Sequence, residues 1–142
     1  MWKALCIFSL ATICGLQAKA DSLIGTGSLF LHPSVLQGYE QFQNTYNPTY
    51  FAVSTNGLAY GYTYCPDQAC TTSDDKGAAI RSCISVQGQY EAELRKRGIK
   101  SLKGECRIFA NASRVLWQGE VHHLSKEQYL EWLSGSGFLV RN

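Results

Sequence analysis

Cysteines are the residues of this chain whose type and spacing constrain its chemistry most. Six are present, but Cys6 and Cys14 lie in an apolar stretch at the start of the chain that we interpret as a leader. The remaining four allow three disulfide pairings, or a single zinc site built from four thiolates. These four are Cys65, Cys70, Cys83 and Cys106.

Two structural disulfides, Cys65–Cys70 and Cys83–Cys106, are the predicted arrangement. The first closes a short loop in which Pro66 already favours a turn. The second ties a predicted helix to a later strand, and closing its loop of about 22 residues should stabilise the fold by about 3 kcal/mol. Zinc sites of four cysteines usually carry two short Cys pairs, which this spacing does not supply. A redox role for Cys65 and Cys70 is disfavoured because their spacing is not C-x-x-C.

Three histidines could act as bases or metal ligands, but no recognisable constellation surrounds them. His32 precedes Pro33 at a predicted helix start, where a polar side chain satisfies free backbone N–H groups, so we predict a capping or turn role. His122 and His123 are adjacent on a predicted strand and therefore point to opposite faces, which disfavours one shared metal. The sequence has no G-x-S-x-G, H-E-x-x-H or phosphate-loop motif. We predict no catalytic residue, metal or cofactor.

A basic segment is the first candidate for binding. It holds five basic residues and no acidic one, at the end of a predicted helix and beyond it. A solvated helix end explains such a run, because cations suit the negative end of the helix dipole. The functional alternative is an electropositive patch that docks an anionic envelope component or an acidic protein. The five residues are Arg95, Lys96, Arg97, Lys100 and Lys103.

A row of tyrosines on one face of a predicted strand is the second candidate. Tyr60, Tyr62 and Tyr64 share that face, while the opposite face carries small residues around Gly61 that could receive a closely packed helix. Aromatic residues on one sheet face usually belong to the core. If helices cover only the small face, however, the tyrosines form an open surface for a partner or a glycan.

Residues 1–20 have the pattern of a signal peptide. Lys3 precedes an apolar run over residues 4–13, and Ala18-Lys19-Ala20 places small residues at the two positions that a signal peptidase reads. The run is shorter than the roughly 20 residues of a membrane-spanning helix. A lipoprotein anchored through Cys14 is disfavoured because no proper lipobox precedes it. We predict cleavage after Ala20 and a periplasmic or extracellular location, in which disulfides persist.

The predicted mature chain, residues 21–142, is close to electrically neutral. The full chain has 13 basic and 11 acidic residues, and Lys3 and Lys19 depart with the leader, so 11 of each remain. A global basic field that would favour nucleic acid is therefore absent. The length of 122 residues suits one domain, and no later segment is long and apolar enough to cross a membrane.

The first half of the domain is predicted to hold a helix followed by a hairpin. A short strand over residues 28–31 leads to a helix that begins at Pro33, with apolar residues every three or four positions as far as Tyr46. Two strands, 50–54 and 58–64, then flank Thr55-Asn56-Gly57, a strong hairpin signal.

The second half is predicted to hold helices on either side of a second hairpin. One helix is predicted after Ser73, its N-cap, and a second over residues 90–97, followed by a hairpin of 105–110 with 114–118. A capping box at Ser125-Lys126-Glu127-Gln128 then starts the last helix. The order predicts an α+β domain: one small antiparallel sheet with a ββαββ core (residues 50–117), flanking N- and C-terminal helices and stabilising disulfides.

A longer pattern runs through the same core. It consists of Phe51-Ala52-Val53-Ser54, Gly57, Gly61-Tyr62-Thr63-Tyr64-Cys65, Ala78-Ala79-Ile80 with Cys83, Cys106-Arg107-Ile108-Phe109-Ala110, and Val115-Leu116-Trp117. This pattern resembles a small domain of unknown function found in exported bacterial proteins. The resemblance implies a bacterial source, a ββαββ core and the Cys83–Cys106 link, but no activity. The stretch from Gln87 to Gly104 is longer than that family would have there.

The function predicted from these features is that of an exported, non-enzymatic protein that binds an envelope component or a partner protein. A small envelope hydrolase or wall-modifying enzyme centred on His122 or His123 is the alternative. A structural accessory module without a ligand is the third hypothesis.

Overall fold

The computed structural model of the protein describes residues 22–67, 69–70 and 72–141. The predicted leader, residues 1–20, lies outside these residues. In chain order the elements are β1 (Leu29–Leu31), α1 (Pro33–Asn44), β2 (Pro48–Ser54), β3 (Tyr60–Tyr64), α2 (Thr72–Lys96), β4 (Ile99–Leu102), β5 (Cys106–Asn111), β6 (Val121–His123), α3 (Lys126–Gly135) and β7 (Leu139–Arg141).

The predicted α+β class is confirmed. A three-stranded antiparallel sheet in the order β3-β2-β5 forms the centre of the fold. Two smaller sheets accompany it, a parallel pair of β1 with β6 and an antiparallel pair of β4 with β7. In the described residues no helix is long and apolar enough to cross a bilayer.

The first hairpin forms where the Asn-Gly signal predicts it, with Gly57 at a φ of 71°. The second hairpin does not form as predicted. Residues 114–118 contribute only two isolated bridges, Ala110 with Val115 and Thr26 with Gln118, and the N–H groups of Leu116 and Trp117 both donate to the Phe109 carbonyl. The order ββαββ is present as β2-β3-α2-β4-β5, but β4 pairs with β7 and β5 pairs with β2.

The two predicted helices, one with Ser73 as its N-cap and one over 90–97, are one continuous helix, α2, that begins at Thr72. The predicted N-cap at Ser73 is wrong, because this residue already lies in the first turn of α2. Gly88 did not interrupt it, because a glycine in a helix interior costs only about 1 kcal/mol relative to alanine. Gly98, at a φ of 81°, follows the end of α2 as the sequence predicts.

Helices cover both faces of the central sheet. On the small-residue face, a Cβ atom at Gly61 would lie 2.3 Å from the Cys83 backbone nitrogen, so α2 approaches β3 as closely as predicted. On the other face, Val35 and Phe42 of α1 belong to a buried cluster with Phe51 of β2. Both sides of β2 are therefore core.

Both predicted disulfides are present. Cys65 and Cys70 lie 5.8 Å apart between their Cα atoms and close the loop after β3, whereas Cys83 and Cys106 lie 6.0 Å apart and join α2 to β5. All four thiols are used in these bonds, so the alternative of a four-thiolate zinc site is wrong.

Two of the three predicted helix caps, at His32 and Ser125, are confirmed. The His32 Nδ1 accepts a hydrogen bond of 3.1 Å from the Ser34 N–H at the start of α1. Ser125 and Gln128 form the reciprocal capping box of α3.

Candidate binding site at the edge of the central sheet

The outer edge of β3 carries a row of unpaired backbone groups. The Ser54 N–H donates to the Ala59 carbonyl over 2.9 Å, so Ala59, and by alternation Gly61, direct their backbone groups toward β2. The N–H and carbonyl groups of the alternate residues, Tyr60, Tyr62 and Tyr64, therefore point away from the sheet. No other strand in the described part of the chain pairs with them.

An open cleft of 410 Å³ runs between this edge and α2. On the α2 side it is lined by Ser82, Val86 and Tyr90, which are spaced by four residues and so lie on one helix face. On the sheet side the tyrosine row and Gly61 line it, and none of the lining side chains is charged. The cleft is thus an uncharged slot beside a free strand edge.

The tyrosine side chains themselves do not form an open face. The Tyr60 ring stacks on Phe51 at 5.4 Å and lies so close to α1 that a Cβ atom at Gly38 would be 2.2 Å from it. The Tyr62 ring lies 5.8 Å from Phe42, while Tyr64 is 53% exposed. Burial, followed by the nearby Tyr62 and Tyr90 hydroxyls, raises the pKa of Tyr60. The row thus contributes its rings to the core and its backbone to the free edge.

The basic segment is divided between the end of α2 and the β4 region. Arg95 is paired with Glu91 at 2.5 Å and Lys96 with Glu93 at 3.0 Å, both within the exposed last turns of α2. The hydrogen bond from Lys96 lowers the pKa of Glu93. Exposed pairs of this kind contribute little stability and reduce the positive field.

The other three basic residues of the segment lie beyond the last turn of α2. Arg97, Lys100 and Lys103 are exposed, with Lys100 on β4. They are the part of the segment that remains open to an anionic partner.

The histidines of β6 lie in different surroundings. His122 stacks on Phe30 at 4.5 Å, and its Nε2 lies 3.5 Å from a Glu120 carboxylate oxygen. His123 lies at the rim of a separate apolar cavity. Within the described residues neither imidazole is hydrogen-bonded to a serine, threonine or cysteine side chain, so the histidines are not assembled with a nucleophile.

A larger cleft of 500 Å³ lies on another side of α2, where its charged groups already have partners. Arg107 pairs with Glu105 and donates to the Ser22 carbonyl. The Gln87 amide nitrogen donates to the Gly104 carbonyl over 2.8 Å. The cleft is open, and its Gln87 amide holds the segment before β5 against α2.

A buried polar cluster, which the sequence reasoning did not find, holds the turn of the first hairpin in place. The Ser54 hydroxyl donates to the Asn56 Oδ1 over 2.6 Å, and the Asn56 Nδ2 donates to the Lys103 carbonyl over 2.8 Å. The Tyr129 hydroxyl of α3 donates to the Asn56 carbonyl over 2.5 Å, and burial strongly raises the pKa of Tyr129. The Asn-Gly pair signalled the turn, but its local sequence gave no sign of these distant partners.

No family model, no curated protein and no solved structure matches this chain.

Proposed function

We propose that the protein is an exported, non-enzymatic binding domain that captures an extended segment of a partner protein as an added strand beside β3. One observation carries the proposal: the outward backbone groups of Tyr60, Tyr62 and Tyr64 border an uncharged cleft. An extended peptide satisfies such an edge with main-chain hydrogen bonds, while its alternate side chains give specificity.

The side chains that line the cleft determine which partner segments can bind there. Side chains on one face of the added strand would meet Val86 and Tyr90, an apolar and an aromatic surface. A charged side chain there would lose its hydration without an opposite charge in return. The preferred partner segment is therefore extended, with uncharged, largely apolar residues at alternate positions.

Export is supported by the two disulfides together with the leader predicted over residues 1–20. The resemblance to an exported bacterial domain of unknown function agrees with this location. An anionic envelope component would instead use Arg97, Lys100 and Lys103, and its binding would weaken with salt because exposed charges are screened.

Photo-crosslinking identifies the captured segment. p-Benzoylphenylalanine at Tyr64, which is 53% exposed and lines the cleft, is compared with the same group at Tyr46, which is 71% exposed outside it. Incubation with an envelope extract of the source organism should give a crosslinked peptide at position 64 only. Identical crosslinking at both positions would contradict a site at this edge.

Binding of the synthetic peptide then tests the geometry. Ser82→Lys places an ammonium at the cleft and should lower affinity at least about tenfold, because a bound peptide would cover this charge without supplying an opposite one, at a cost of more than about 1.4 kcal/mol. Ser85→Lys adds the same charge to an exposed position of α2 outside the cleft and should leave affinity unchanged. Equal losses in both variants would overturn the proposal.

Hydrogen exchange supplies a readout of strand addition itself. In the free protein the outward amides of Tyr60, Tyr62 and Tyr64 should exchange faster than that of Gly61, which points toward β2. Added peptide should slow exchange at the three outward amides. Binding that leaves their exchange unchanged would show a different mode of recognition.

A further inference from the structure

An apolar cavity lies on the opposite side of the central sheet from α2. Its volume is 220 Å³, and it is more enclosed than the cleft beside β3. Leu31 of β1, Val35 of α1, Phe51 of β2 and Phe109 of β5 are buried residues that form its interior. The cavity therefore lies where four elements of the core converge.

The rim of the cavity is accessible. Val115, in the segment after β5, is 47% exposed, and Leu36 of α1 is half-buried. His123 of β6 is exposed and contributes an imidazole to the rim. A small molecule can thus reach the cavity without unfolding of the domain.

The lining is unsuited to water. A buried water needs two to four polar partners, and this cavity is walled by aliphatic and aromatic side chains. The Tyr39 hydroxyl, on another of the lining residues, is engaged by the Gln43 side chain. The cavity is thus a partly enclosed apolar pocket that opens at the surface between α1, β6 and the segment after β5.

We propose that this cavity is a binding site for a small amphiphile, with an apolar body of one aromatic ring or a short chain and one hydrogen-bonding group at His123. The size follows from the volume, since an engineered apolar cavity of about 150 Å³ already accommodates benzene. The His123 imidazole lies on one side of the rim, so the hydrogen-bonding group of the ligand is placed at that side. This site is separate from the cleft beside β3, and its ligand is not the proposed peptide.

Two probes separate the apolar from the polar contribution. p-Cresol has a ring of suitable size and a hydroxyl, whereas toluene has the ring alone. We expect p-cresol to bind the folded protein with a Kd on the order of 10⁻⁴ M. Nuclear Overhauser effects should connect its ring protons to the Val35 and Leu36 methyl groups, which lie on the cavity wall.

Filling the cavity from its rim tests the location. Val115→Trp should weaken p-cresol binding at least about tenfold. Ile84→Trp, at a residue of α2 that is 56% exposed and outside the cavity, should have no effect. The wild-type Overhauser contacts decide the question if Val115→Trp does not fold.

His123→Ala tests the polar end. It should weaken p-cresol binding roughly two- to tenfold, the worth of one net hydrogen bond, and should leave toluene binding unchanged. An equal effect on both probes would overturn the assignment of His123. Absence of p-cresol binding at millimolar concentration, or Overhauser contacts to residues elsewhere, would overturn the site.

Discussion

The two edges of the central sheet differ in whether another segment of the chain pairs with them. At the β5 edge, the Ile108 N–H donates to the Leu23 carbonyl over 2.7 Å, and the Gly25 N–H donates to the Ile108 carbonyl over 3.0 Å. An extended segment of the protein itself thus covers this edge. At the β3 edge no described segment does so. The sheet therefore pairs with an added segment at the β5 edge, whereas the outward N–H and carbonyl groups at the β3 edge stay open.

The open edge has features that limit uncontrolled association. β3 has only five residues, and the Cys65–Cys70 loop with Pro66 follows it directly. Short edge strands that end at a turn are a common protection against edge-to-edge aggregation. An edge of this length offers three outward residues, enough to hold a short segment of a partner but too few for an extended intermolecular sheet.

The two disulfides, one near each edge, allow the first prediction. Replacing Cys83 and Cys106 by alanine should lower the free energy of unfolding by about 3 kcal/mol, whereas replacing Cys65 and Cys70 should cost about 2 kcal/mol, because the longer loop restricts the unfolded chain more. Urea denaturation of the oxidised proteins measures both. A larger loss of unfolding free energy on removal of Cys65–Cys70 would contradict this order. It would mean that the stability of the domain depends more on the disulfide near the open edge than on the one near the covered edge.

The second prediction concerns a substitution that should expose the covered edge at β5. A Cβ atom at Gly25 would lie 1.8 Å from the Trp117 ring, so Gly25→Val should displace the segment that pairs with β5 and cost about 2 kcal/mol. The Ile108 amide should then exchange faster, as expected for the outward amides of β3. Thr26→Val, at the exposed neighbouring residue, is the control. Unchanged exchange at Ile108 would show that the edge is held closed by other contacts.

Features with a local signature were predicted correctly from the sequence. The Asn56-Gly57 turn, the Ser125 capping box and the His32 cap each depend on residues within a few positions of one another. The pairing of Cys83 with Cys106 was also predicted correctly, because the short loop around Pro66 favoured Cys65 with Cys70 and the resemblance implied the second link.

Pairings without a turn between them were missed. β1 lies parallel to β6, which is about 90 residues distant in the chain, and no local pattern marks such a partner. The same limitation applies to the candidate site. The alternation of Tyr60, Tyr62 and Tyr64 predicted a shared face, but which edge of the sheet would remain free depends on where β5 and the segment before β1 pair.

The third prediction concerns the turn that precedes the open edge. Tyr129→Phe removes the hydroxyl that donates to the Asn56 carbonyl and should cost about 1 kcal/mol. Tyr46→Phe changes a tyrosine that is 71% exposed and should leave stability unchanged. Thermal unfolding of both variants measures the difference. If Tyr129→Phe also accelerates exchange at the Ala59 amide, which donates to the Ser54 hydroxyl, then the cluster fixes the start of β3.

The smallest effect is expected at the start of α1, the helix that covers the tyrosine rings behind the open edge. Burial, and then the charge of Lys126, lowers the pKa of His32 below its ordinary value of 6.5. Because the unfolded chain then binds the proton more readily, the stability contributed by neutral His32 is complete above pH 6.5 and is lost as the pH falls toward the folded pKa.

His32→Asn keeps a capping acceptor for the Ser34 N–H but cannot titrate in this range. The free energy of unfolding of the wild type, relative to that of His32→Asn, should therefore decline on acidification. The substitution His123→Asn, at an exposed position, is the control. A constant difference between wild type and His32→Asn across this range would show that the cap tolerates the protonated ring, and that the cover over the tyrosine row is not sensitive to acid at this point.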